Sequence, residues 1–142
     1  MTGFIKLTVI EDDNGELKFR IDSSNNRCMT TLDFYGNNDD FKEFPSKLID
    51  FPKSKEDIVT FELGEDNRKW AYYMIIKAFC YDDLGHSAIK IIVDNFGDTS
   101  TGYRTEFSII TEPSSLNRLG QQLFAWNPYE TKEIIWESDN LS

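Results

Sequence analysis

His86, the only histidine of the chain, follows Asp82 and Asp83 and directly precedes Ser87. A hydroxyl, an imidazole and a carboxylate are the parts of nucleophilic acyl transfer, but that chemistry needs all three in one hydrogen-bonded line. Nothing in the loop forces the alignment, and an imidazole beside two aspartates also serves simply to solvate a turn, which is the reading adopted for His86. Asp12 and Asp13, with Asp82 and Asp83, offer carboxylates of the kind calcium takes, yet neither loop supplies the ligand number of an EF-hand. Cys28 and Cys80 are the only cysteines, with no CxxC and no histidine spaced to share a metal with either. Reduced, partly buried thiols are expected rather than a disulfide. There is no P-loop, dinucleotide fingerprint or HExxH. The residues predict a non-enzymatic protein with no catalytic residue, no cofactor and no metal.

The loops that carry these carboxylates are written twice. DDNGELK (12–18) and DDLGHSAIK (82–90) each follow an apolar run, FIKLTVIE and WAYYMIIKAFCY, and each leads into an alternating strand. Leu17, Phe19 and Ile21 align with Ile89, Ile91 and Val93, while Lys18 and Asp22 align with Lys90 and Asp94. Aspartate, asparagine and glycine suit the tight connection of a hairpin. TTLDFYG (30–36) then matches RTEFSII (104–110) as a third strand.

Two apolar stripes follow. Phe41, Phe44, Leu48 and Phe51 recur at intervals of 3, 4 and 3, as do Leu116, Leu119, Leu123 and Trp126, each 75 positions after its counterpart. This is the spacing of one buried helical face. Asn37 or Asn38 suits the N-cap of the first helix and Thr111 or Ser114 that of the second, with Pro113 in its opening turn. Pro45 and Gly120 interrupt the two helices at the same repeat position, which suggests a kink, or a close approach of one helix to the other; alternatively the first helix begins at Pro45. IVTFELG (58–64) and EIIWES (133–138) supply a further strand after each helix.

The predicted fold class is α+β: a single antiparallel β-rich domain spanning 1–142, with about eight strands as a sandwich or half-barrel and two helices. It reads as a duplicated β-β-β-α-β unit with repeats near 4–64 and 70–138, although chance matches between two hairpin-plus-helix segments would look similar. WAYYMIIKAFCY is apolar on both faces, as in a central strand covered on two sides. Residues 17–22 alternate and should face water on one side.

The formal net charge is −10, split evenly as −5 on either side of residue 71. Such a surface repels nucleic acid and anionic membranes and steers basic partners toward it. The N-terminal stretch has neither a basic n-region nor an unbroken apolar segment, and no run reaches the length of a membrane span. A soluble, cytoplasmic protein is expected.

GHSAIKIIVDN followed by EFSIITEPSSLNRLGQQLFAW resembles the WapI-type immunity group of small bacterial proteins and its relatives of unknown function. There a strand after a glycine-containing turn leads to an acidic or aromatic strand, a Glu-Pro helix entry and a Leu-x-x-Leu-x-x-x-Leu helix. The resemblance covers residues 82–126. It implies a non-enzymatic, cytoplasmic protein that neutralises the toxin domain encoded beside it, with no binding residues carried over. The carboxylates at the loops, Asp12, Asp13, Glu65, Asp66, Asp82 and Asp83, with His86 among them, are then the candidate contacts for a basic protein partner, against the alternative that each pair only solvates its turn. The competing function is a carbohydrate-type binding domain using Trp70, Tyr129 or Trp136, although most such aromatics belong in a core; an enzyme of another kind ranks below both.

Overall fold

The computed structural model describes residues 2–139, apart from the side chains of Asn38 and Asp40. Its elements run β1 (Phe4–Asp13), β2 (Glu16–Ser24), β3 (Met29–Gly36), a 3-10 turn (Asn38–Phe41), α1 (Glu43–Leu48), β4 (Ile58–Leu63), β5 (Tyr73–Cys80), β6 (Ser87–Asp94), β7 (Arg104–Thr111), α2 (Pro113–Ala125) and β8 (Glu133–Glu137). They form the predicted α+β domain, with two open four-stranded antiparallel sheets of order β3-β2-β1-β8 and β4-β5-β6-β7 and no barrel closure. Each sheet takes three consecutive strands from one half of the chain and its fourth from the other. β8 pairs with β1, and β4 with β5. Neither β-β-β-α-β segment is therefore a self-contained unit.

One core fills the space between the sheets and helices. The inward residues of β2, Leu17, Phe19 and Ile21, and those of β6, Ile89, Ile91 and Val93, belong to the same cluster as both helical stripes. All eight stripe residues are buried, as their spacing requires. Phe41 belongs to the 3-10 turn and Phe51 lies beyond α1, so the first stripe is carried by three pieces of backbone rather than one long helix. Pro45 is the third residue of α1, where its missing N–H breaks no intrahelical bond. Gly120 marks the approach of the helices: a Cβ there would lie 2.8 Å from Ile49 N and 2.9 Å from Pro45 O. Asn117 completes the junction by donating to the carbonyls of Leu48 (3.1 Å), which also accepts the Phe51 N–H at 3.2 Å, and of Phe51 (2.6 Å), just beyond α1.

Asn37 accepts from Asp39 N at 2.9 Å and so caps the 3-10 turn; the side chain of Asn38 lies outside the described residues. The N-cap of α2 is Glu112, in place of the expected Thr111 or Ser114, and Pro113 holds the first position. Thr111 still ends β7, paired with Ser87, and is fully buried. Asp139 accepts the Glu112 N–H at 3.1 Å, so a distant carboxylate replaces a local cap.

The edges β3 and β7 are stitched together: Tyr103 donates its hydroxyl to the Thr31 carbonyl, Thr30 Oγ1 donates to Thr105 Oγ1 at 3.1 Å, and Asn25 Nδ2 donates to Ser108 O at 3.1 Å. Trp136 of β8 is buried, with its indole N–H on Ser115 O of α2. Cys80 is half-buried as expected, whereas Cys28 is exposed; both are free. Among the described residues no helix is long and apolar enough to cross a membrane.

One expectation about burial is corrected. β5 buries Met74, Ile76 and Ala78 in the core, but Ile75, Lys77 and Phe79 on its other face are only partly covered. Among the described residues no layer lies on that side, because both helices pack into the shared core.

Candidate partner-binding surface

The Asp-Asp-x-Gly turns that look alike in sequence differ in backbone. Asp12 and Asp13 are the last residues of β1, in register with Leu17 and Glu16, and the connection is the two-residue Asn14–Gly15 with φ of 54° and 88°. That is the geometry of a type I′ turn. In the second hairpin the ladder ends at Cys80–Ser87 and Tyr81 N–H still donates to His86 O, so Asp82 and Asp83 lie within the loop. Asp82 Oδ1 accepts the N–H groups of Leu84 and His86, both at 3.0 Å, and its Oδ2 lies 2.5 Å from His86 Nδ1. The hydrogen bond between the two side chains holds the Asp82 carboxyl below its usual range and raises the imidazole.

This pairing does not extend into a catalytic relay. Ser87 turns inward, buried, and donates its hydroxyl to Thr111 O at 2.6 Å. Tyr81 instead stacks on His86, with ring centroids 6.0 Å apart. Among the described residues no group of three or more His, Cys, Asp or Glu side chains is placed to hold a metal.

The candidate acidic residues do not converge. Gly3 packs on Ile109, and Asn25 bonds Ser108, so the Phe4–Ser24 end of the β1–β2 hairpin lies beside the end of β7 that pairs with Ala88. The tip with Asp12 and Asp13 is nine residues further along β1, about 30 Å away. The two tips thus project from opposite ends. Asp12 lies 3.6 Å from Lys132, and Asp13 is exposed beside Glu16. In the β4–β5 connection, Asp66 is held by both terminal nitrogens of Arg104 at 2.9 and 3.0 Å, and Glu65 accepts from Asn67 at 3.1 Å. Asp83 meets Lys55 at 3.4 Å on an exposed side chain. Asp82, Asp83 and His86 form a third group, joined there by Asp57 and Glu56, whose charges reach Cys80, and by Glu112, whose charge reaches His86; burial first, then Asp57, Asp82 and Glu56, push the Cys80 thiol up.

Beside that cluster lies a feature the residue types alone did not single out. Ile58, Phe79, Ala88 and Ile110 are direct cross-strand partners and form one apolar row across all four strands on the outer face of the β4–β7 sheet. Ile58 is 57 % and Ile110 55 % exposed at the two ends of the row, while Phe79 is half-buried and Ala88 buried between them; Leu84 at the neighbouring tip is 83 % exposed. The next row is Thr60, Lys77, Lys90 and Ser108, and the one after it Glu62, Ile75, Ile92 and Glu106. The doubly apolar pattern of 70–81 was the available signal, and it reads as a partly covered face rather than a second fully buried one.

The aromatics of the carbohydrate reading are dispersed. Trp136 is core, as expected of most of them; Trp70 and Tyr129 are exposed, Trp70 over the Gly64 turn and Tyr129 with its hydroxyl on Gly15 O. A shallow cleft of about 490 Å³ lined by Arg20, Asp33, Tyr72 and Tyr103 is floored by the Arg20–Asp33 ion pair at 2.7 Å. Comparison of the chain with protein-family models, curated proteins and solved structures returns no match.

Proposed function

We propose that this chain is a non-enzymatic binding protein, a cytoplasmic immunity protein of the WapI type, which neutralises a basic toxin domain by occupying its surface. The observation that carries the reading is the juxtaposition at the β5–β6 tip of Asp82, Asp83, Glu56, Asp57 and Glu112 with the apolar row Ile58–Phe79–Ala88–Ile110, which is exposed at its two ends, Ile58 and Ile110. Carboxylates accelerate encounter with a basic partner, and apolar area supplies the residence time that charge alone does not. The charge of −10 acts in the same direction at longer range.

The test begins with the genetic context: the immunity reading requires a toxin domain encoded beside this gene, its absence would refute the reading, and that domain is then titrated with the chain. A binder abolishes the toxin's activity at one molar equivalent. Protection at catalytic, substoichiometric amounts would make the chain an enzyme; no protection at any ratio would refute the immunity role.

A further inference from the structure

Lys77 and Lys90 stand directly opposite each other on the outer face of β5 and β6. Like charges at directly opposed positions destabilise a sheet. Lys90 is compensated by Glu106 at 3.2 Å. Lys77 has no carboxylate within ion-pair distance among the described residues; its ammonium lies 5.8 Å from the centroid of the Phe79 ring. The lysines border one long side of the apolar row, and the tip carboxylates border the other.

Resting on the binding reading above, we infer that the outer face of the β4–β7 sheet is the docking surface, and that it receives an amphipathic helix of the basic partner laid along the apolar row. The helix carries Lys or Arg on the flank toward Asp82 and Asp83 and an acidic side chain on the flank toward Lys77. The dimensions fit. Four strands about 4.8 Å apart make the row about 14 Å long. The tip and the lysine row are four residues apart along β5, about 13 Å, and a helix with its side chains is 10–12 Å across. Neither an acidic cluster nor an apolar row alone would define the occupant; opposite charges on the two sides of one seam fix its chemistry and its direction. The outer face of the other sheet has no such seam: its rows are Glu137–Phe4–Ser24–Met29, Ile135–Lys6–Asp22–Thr31 and Glu133–Thr8–Arg20–Asp33, with no two apolar residues adjacent.

The experiment measures association and dissociation of the full chain with an inactivated form of the toxin domain encoded beside it. Ile58→Asp and Ile110→Asp, at exposed positions of edge strands and with folding checked by the melting temperature, are expected to weaken binding at least about thirtyfold, mostly through faster dissociation. Lys77→Glu weakens it about tenfold, and Asp83→Lys slows association at low salt with little change at high salt. Ile135→Asp on the opposite sheet binds as wild type. Undiminished binding by folded Ile110→Asp, or loss of binding by Ile135→Asp, overturns this surface while the immunity role stands. A wild-type chain that does not bind overturns both. A free-chain dimer that Ile110→Asp dissolves would give the face to a second copy and overturn the assignment to a basic helix.

Discussion

The two sheets present corresponding strands to solvent in the same order and dress them differently. On the β3-β2-β1-β8 sheet, outward charges are matched across strands, Lys6 with Glu133 at 3.4 Å and Arg20 with Asp33 at 2.7 Å, and its apolar side chains stand singly. On the β4-β5-β6-β7 sheet, apolar side chains meet apolar side chains and Lys77 meets Lys90. The first face is finished by water. The second keeps adjacent apolar positions and a like-charge pair, for which the proposed docking would supply a reason.

The sharpest internal test lies within one strand. Ile91 is fully buried in the core and Ile92 points outward between Ile75 and Glu106. Ile91→Ala should cost about 2–5 kcal/mol in denaturant unfolding, the range for a buried aliphatic truncation, and Ile92→Ala less than about 1 kcal/mol. Similar losses at both would mean that the outer face is covered in the free protein, and the contrast between the sheets would collapse.

Much of the architecture was legible. Alternation placed Leu17, Phe19 and Ile21 inward, and the 3-4-3 spacings located both buried stripes because helical periodicity is a local property. Two things were not local. The exchange of β4 and β8 between sheets depends on which edges meet in space, and short strands such as EIIWE carry no address for a partner. The burial of β5 was misread because an apolar face in sequence is the same whether another layer of this chain or another molecule covers it. The acidic loops had a related fault: identical Asp-Asp-x-Gly motifs lie on hairpins that point to opposite ends, so their charges do not add at one surface.

A smaller effect sharpens the picture of the tip. Asp82 and His86 form a charged pair between the carboxylate's lowered pKa and the imidazole's raised one. The pairing is lost as pH falls through the former, when Asp82 is protonated, and again as pH rises through the latter, when His86 becomes neutral. An NMR titration should place the His86 pKa above 6.5, and Asp82→Asn should return it toward that value. An unshifted wild-type imidazole would detach His86 from the tip carboxylates.

The most direct measurement is covalent footprinting of exposed side chains, free and in complex with the inactivated toxin domain. The sheets offer matched reporters: Ile58, Tyr81, Leu84 and Ile110 on one, and Met29, Tyr35 and Ile135, 64, 53 and 47 % exposed, on the other. Labelling of the first group should fall on binding while the second is unchanged. Protection of Met29, Tyr35 and Ile135 with Ile58 and Ile110 still reactive would contradict the account.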